Sequence, residues 1–468
     1  MKHHQYPPGP PSRWPGGHAS NLINNPLPLF RQCAEEYGDI ASLRLFNRRI
    51  YVLSNPDYIK HVLVTDQKNY EKGRALEATR QVIGEGLLTS EGDFHHRQRL
   101  IMQPAFHRRQ VAGYADIMSR LTQTHLNGWQ NGQSFDLHQQ MMQLTMKIAT
   151  ETLFGADISA GYKKLTAALN DLMNDFTFLD ATPVGQLLSR IPTRRNFQRK
   201  RWLDTLDSAI YEFIRAGQEK DEEQYNLLSM LLAAHQAEDQ PSLSLAQIRD
   251  EVMTLFIAGH ETTANAIIWT FYLLTQHPDV EAQLQAEVDT VLGGRLPTAE
   301  DSRQLKYTRM VLSEAMRLYP PAWAIGRRAI ADDEIGGYKI PADSGVVFSQ
   351  WVMHRHPLYW REPLCFQPER FDSDLDSQPK RPRYAYFPFG GGARACIGEA
   401  FAWMEGILLI AMLAQQFRFE VAANAQVEPQ PGITLRPKYG LPVVVKSRYG
   451  QPSRPKKQLL FDAVAVPA

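Results

Sequence analysis

The sequence predicts one large, mainly α-helical unit with small β-sheets. Three observations carry this. Over residues 93–292, apolar side chains recur at three-to-four spacing, the period of helices with one buried face. Short apolar runs punctuated by Gly, Pro and Asn lie nearer the two ends, at 43–53 and 329–348. No internal repeat and no linker divides the 468 residues.

The elements follow in order. Residues 1–17 are rich in Pro, His and Gly, lack the apolar core of a signal peptide, and are expected to form an extended arm. Residues 43–53 alternate partly and close on Ser54-Asn55-Pro56, which predicts a hairpin. A helix is expected over 57–64. Residues 141–154, 203–216 and 227–234 carry helical apolar spacing. Ser244 opens a helix with Asp250 and Glu251 read as its acidic first turn, and His277-Pro278 stops it. Another helix is expected over 301–318, ended by Pro320-Pro321. Gly336-Gly337, Pro341 and Gly345 break 329–348 into small strands and turns. A long apolar helix then runs from just after Cys396 to about Phe417, and 448–468 read as a tail.

Composition excludes several classes. Lys+Arg 51 against Asp+Glu 50 leaves no overall field for nucleic acid. Three cysteines, Cys33, Cys365 and Cys396, are no disulfide framework and fit a reducing compartment. No apolar run reaches the length of a membrane span. A cytoplasmic protein without a membrane anchor is expected.

The strongest chemical signal is Phe389-Gly-Gly-Gly-Ala-Arg-Ala-Cys-Ile-Gly398. An isolated cysteine is most often a small buried hydrophobe. Here three glycines let the backbone turn tightly with amides free to face a sulfur, and Cys396 precedes a helix whose dipole favours thiolate. Arg394 offers a cation for an anionic cofactor edge. Phosphate binding is disfavoured because no Gly-Lys-Ser/Thr follows, and structural zinc because no second Cys or His is near.

Three further stretches stand out. Ala258-Gly259-His260-Glu261-Thr262-Thr263 puts polar residues inside an apolar helix. The small pair would admit a flat ligand, and Thr262 could return its hydroxyl to the Ala258 carbonyl and bend the helix. Glu261 and Thr262 could relay protons. A zincin is excluded, since Ala264 stands where its second His belongs. Glu314 and Arg317 share a helix face at i, i+3, with Arg370 downstream. His95 and Arg99, at i, i+4, could hold two oxygens of a carboxylate, or simply form a solvated basic face.

Together these residues resemble the cytochrome P-450 family, the haem-thiolate monooxygenases. Phe389, Gly392, Arg394, Cys396 and Gly398 match its haem loop; Glu261 and Thr262 its acid–alcohol pair; Glu314, Arg317 and Arg370 its structural Glu-Arg-Arg network. His95 and Arg99 match the His-x-x-x-Arg pair of bacterial members, and Arg327 another propionate position, where Arg328 competes. His356 departs from the family's usual Asp in the His354-Arg355-His356-Pro357 turn.

The resemblance implies a triangular helical prism enclosing haem b, with Cys396 as axial iron ligand. It implies one catalytic domain over 18–447, overruling the two or three domains that length alone suggests. It implies insertion of one oxygen atom from O2 into a lipophilic molecule such as a fatty acid, terpenoid, steroid or macrolide. Too little chain follows Cys396 for a reductase domain, so a separate ferredoxin or flavodoxin-type donor is expected, docked by Arg97, Arg108 and Arg109 and by Lys380, Arg381 and Arg383. A monomer is expected. Candidate pocket residues are Leu87, Leu88, Phe176, Phe178, Leu179, Phe256, Trp323, Ala324 and Ile325.

Overall fold

The computed structural model describes residues 6–155, 162–175, 185, 188, 191–219, 226–236, 243–372 and 381–449. Six helices frame the interior: α1 (Gly92–Met102), α2 (Leu137–Phe154), α3 (Arg194–Gln218), α4 (Leu245–Leu274), α5 (Lys306–Leu318) and α6 (Glu399–Gln416). The mainly helical class with small sheets is as the pattern predicts.

The central helix, α4, owes its length to its sequence. Ser244 caps it with a complete capping box: its hydroxyl accepts the Gln247 amide while the Gln247 side chain accepts the Ser244 amide. From residue 251 to 271 nearly every side chain is buried. A helix apolar on all sides must lie inside the protein, and α4 packs against α2, α3, α5 and α6. Its start at Leu245 places Asp250 and Glu251 beyond the first turn, so they do not serve its dipole. Their carboxylates instead accept the amides of Glu85 and Leu87, both at 2.8 Å. This ties the loop after Ile83 to α4.

The main sheet has the order β1 (Ile40–Leu45), β2 (Arg48–Leu53), β5 (Gly345–Phe348), β4 (Ile325–Ala329), β3 (Tyr70–Lys72). The expected hairpin is β1–β2. The expected small strands over 329–348 are β5 and the pair Asp333–Ile335 and Tyr338–Ile340, while β4 ends at Ala329. The opening segment runs beside β1, where Ser42 donates its amide to Pro8 and its hydroxyl to Pro7, both at 2.8 Å.

Two expectations need correction. Residues 301–318 are two helices, Asp301–Gln304 and α5, broken at Leu305. The break is capped from outside: Glu287 accepts the amides of Tyr307 at 2.6 Å and Thr308 at 2.8 Å, which serves a new helix start. Residues 57–64 begin as the helix Pro56–Lys60 but widen into a π-turn over His61–Thr65. Of the tail, residues 450–468 lie outside the described residues.

Candidate haem-binding site

The cysteine loop is built by close backbone approach. Gly390 and Gly392 take φ of 73° and 67°, the left-handed region that glycine alone enters without strain. A Cβ on Gly392 would lie 1.8 Å from the Leu63 carbonyl oxygen, and one on Gly391 2.6 Å from the Tyr384 ring. The Cys396 amide donates to the Phe389 carbonyl at 2.9 Å, and Arg99 donates to the Ala395 carbonyl at 2.8 Å. Gly398 precedes α6, and even a Cβ there would stand 4.0 Å from the Cys396 sulfur.

Cys396 keeps accessible surface, yet desolvation is the largest influence on its thiol. Together these fit a cysteine that borders an interior space. Burial pushes the thiol up; the Gly398 amide and the Arg99 guanidinium pull it down, and burial wins. Burial thus disfavours the thiolate, and a bound metal would favour it by taking the place of the proton.

Within α4, residues 251–271 are buried except Ala258, Gly259 and Thr262. These occupy i, i+1 and i+4, one stripe of the helix, so this face too meets open interior space. The Thr262 hydroxyl donates to the Ala258 carbonyl at 2.8 Å, the predicted back-bond. Glu261 is buried and turns to Thr434, whose hydroxyl donates to it at 2.7 Å. Burial raises its carboxyl above the usual range.

A cluster of cations completes the site. Strand register creates its core: β3 pairs with β4 so that Lys72 faces Arg327 and Glu71 faces Arg328. Alternation sends the first pair inward and the second outward. Arg327 is buried, while Arg328 binds Glu71 at 2.6 Å and Asp343 at 3.3 Å. That separates the two competing arginines. His95, Arg99 and Arg394 join Lys72 and Arg327, against the carboxylates of Glu91, paired with Arg394, and Glu251, which acts on Lys72. Burial and then the Arg394 charge push Lys72 down to about 6, His95 to about 3 and Arg327 to about 10. Lys72 carried no signal in the sequence.

The Glu-Arg-Arg network is buried and structural. Arg317 grips both Glu314 oxygens at 2.7 Å and donates to the carbonyls of His354, Pro363 and Cys365. Arg370 reaches Glu314 at 3.3 Å. In the turn that follows, His354 accepts the Phe387 amide at 3.0 Å, which buttresses the cysteine loop.

A cytochrome P450 sequence profile matches residues 7–442. The chain belongs to the cytochrome P450 family. It is 34% identical to the cyclooctatin synthase of Streptomyces melanosporofaciens, covering 90% of this chain and 91% of that protein. It is 33% identical to the cyclooctat-9-en-7-ol 5-monooxygenase of the same organism, covering 90% and 89%. The crystal structure of a cytochrome P450DA heme domain superposes with a TM-score of 0.83 at 28% identity, covering 95% of this chain and 98% of that one.

P450 proteins bind haem through an iron–thiolate bond, and this one is a monooxygenase that puts one oxygen atom from O2 into a lipophilic molecule with electrons from a redox partner. The residues present fit that cofactor. A sulfur both deep and accessible, a small-residue stripe and a cation cluster suit a flat, thiolate-ligated group with two carboxylates.

Other expectations fare differently. Arg381 lies 4.3 Å over the Trp360 ring and donates to the Arg370 carbonyl, so it belongs to packing rather than docking. Arg97 is half-buried over Phe94. Arg108, Arg109 and Arg383 are exposed; Lys380 lies outside the described residues. Trp323 stacks on Phe30 and donates to the Gly432 carbonyl, so it serves the N-terminal packing. Phe256 is buried beside His260. Phe176, Phe178 and Leu179 lie outside the described residues. No helix among the described residues is long and apolar enough to cross a membrane.

Proposed function

We propose that Cys396 is the axial thiolate of a haem b monooxygenase acting on an unsaturated carbocyclic substrate. The carrying observation is the accessible sulfur held inside the protein by the Phe389–Cys396 loop bond. Phe389 and Gly398 bracket that loop: Phe389 supplies the accepting carbonyl and packs on Trp403, and Gly398 leads into α6. Haem, when bound, supplies the O2 and electron-transfer chemistry. Everything else falls to the chain.

Arg99, Arg327 and Arg394 would neutralise the cofactor's carboxylates, and two negative charges beside them would favour the charged forms of Lys72 and His95, which burial and the Arg394 charge otherwise disfavour. Thr262 holds a hydroxyl at the open stripe, and Glu261, one residue away, stores a proton because burial favours its neutral form. The substrate class rests on the cyclooctat-9-en-7-ol relative, by its name an unsaturated ring alcohol, and the reaction is hydroxylation of such a ring.

Electrons arrive from an acidic ferredoxin or flavodoxin-type protein at Arg108 and Arg109. These exposed cations open the helix Arg108–Leu126, where the dipole disfavours them, so local stability does not account for their presence. The protein acts in the cytoplasm as a monomer, as one catalytic unit over residues 18–447.

The decisive test is Cys396→Ser. The haem-loaded wild type should give the red-shifted reduced carbon-monoxide band of a thiolate ligand, and the variant should lose both the band and oxygenation. Retention of both by the variant removes this reading.

A further inference from the structure

We propose that Thr434 and Asn265 are positioning residues that fix which oxygen of Glu261 carries its proton and aim that proton at the open stripe of α4. This rests on the proton-storing role given to Glu261 above. Glu261 and Asn265 stand at i, i+4 on one face of α4, and Thr434 bridges them from the segment just before the strand Leu435–Pro437. All three are buried, Asn265 completely. The bridge is pinned from two sides. The Trp269 ring nitrogen donates to the Leu435 carbonyl at 3.0 Å, and the Leu435 amide donates to the Pro321 carbonyl at 2.9 Å.

The directions of the bonds decide the matter. A carboxamide nitrogen can only donate, so Asn265 Nδ2 donates to Thr434 Oγ1 at 3.0 Å. A hydroxyl has one hydrogen, and that of Thr434 goes to Glu261 Oε1 at 2.7 Å. Oε1 is thereby an acceptor, and the acid proton belongs on Oε2. Among the described residues Oε2 has no hydrogen-bond partner, and it is not one of the fully enclosed orphan atoms, so it keeps accessible surface. Glu261 follows Ala258 by three residues and so flanks the open stripe. The Asn265 oxygen and His138 Nε2 are both buried with no partner in direct hydrogen-bond range, and Asn265 still favours the His138 cation. The amide therefore turns its oxygen to α2 and its nitrogen to Thr434. Burial raises the Glu261 carboxyl, while the Thr434 bond and the Arg436 charge favour its anion. His138 on α2, His260 on α4 and Glu405 on α6 are kept neutral by burial. The Thr434 bond strengthens as the proton leaves, because an ionised acceptor holds a donor more tightly. Release from Oε2 is eased by the same hydroxyl that selects it.

The test uses the full-length, haem-loaded protein and infrared spectra of its neutral carboxyl groups. The carbonyl stretch lost in Glu261→Gln at neutral pH belongs to Glu261. Thr434→Val should move it to higher frequency and raise the pH at which it disappears by about one to two units, the worth of a hydrogen bond to a charged acceptor. Thr434→Ser should restore both. Asn265→Leu keeps the Thr434 hydroxyl but frees its hydrogen, so the stretch should split as Glu261 also donates to Oγ1. Product per electron consumed should fall several-fold in Thr434→Val and Asn265→Leu, with far-UV circular dichroism and substrate-induced spectral shifts as in wild type. A Thr434→Val variant whose stretch, titration and product yield match wild type overturns the positioning role. So does an Asn265→Leu variant whose stretch neither splits nor moves. A missing Glu261 stretch at neutral pH, or an unchanged product yield in Glu261→Gln, removes the proton-storing role itself and this proposal with it.

Discussion

Replacing Glu314 by Gln should destabilise the protein severely while leaving shape almost unchanged. Glu314 and Arg317 are fully buried and share two bonds of 2.7 Å; Arg370, 8% exposed, depends on the same carboxylate. The amide keeps the volume and one acceptor for the Gln367 amide, now at 2.9 Å. It removes the carboxylate that Arg317 and Arg370 share. Breaking a buried pair from one side costs about 3–5 kcal/mol, because the remaining charge stays desolvated. The three carbonyls that also hold Arg317 lower the cost; the loss to Arg370 raises it. We expect about 4 kcal/mol, nearly three decades in the unfolding equilibrium. Urea unfolding of the haem-loaded protein, followed by circular dichroism and the haem band together, measures it. Glu314→Leu combined with Arg317→Met should cost less than the two single changes added, since only Arg370, rather than two buried cations, is then left without the carboxylate. A Glu314→Gln variant within about 1 kcal/mol of wild type would refute the argument that charge compensation, rather than packing, is at stake here.

Thr262→Ala removes the hydroxyl bonded to Ala258. Substrate-induced spectral shifts should persist, while product per electron consumed falls several-fold and hydrogen peroxide release rises. Glu405, fully buried on α6 beside Thr263, is pushed up to about 8 by burial. Its folded value exceeds its unfolded one, so its contribution is complete below about pH 4.5 and is lost as pH rises toward 8, by up to about 1.4 kcal/mol per unit. Glu405→Gln should flatten that slope in urea titrations across pH, and an unchanged slope would exclude this group as its source. Arg108→Glu with Arg109→Glu should slow reduction by an acidic ferredoxin about tenfold at low salt and little at high salt; identical stopped-flow rates would discard that docking face.

What could be read in the chain was local. The Thr262 back-bond, the β1–β2 hairpin and the Glu314–Arg317 pair each follow from residues within a few positions of one another. What could not be read depended on partners far along the chain. Lys72 enters the cation cluster only because β3 pairs with β4 in one particular register. The break at Leu305 follows from Glu287, on a different helix. Arg381 looked like surface charge until Trp360 was beneath it. Apolar periodicity reports which face of an element is buried, not what lies against it.

The loop that carries Leu87 and Leu88 is gripped through its peptide groups. Glu251 takes the Leu87 amide, Lys72 donates to the Leu87 carbonyl, and a Cβ on Gly86 would press to 2.2 Å from the Thr254 hydroxyl. The side chain of Leu88, more than a third exposed, can therefore change without loosening that grip, whereas Leu87 is also packed in the main core. Positions 84 and 86 are closed to such change. The course of this loop is thus written in peptide groups and in two glycines rather than in the side chain of Leu88, so a change at 88 alters a surface and a change at 86 alters a path.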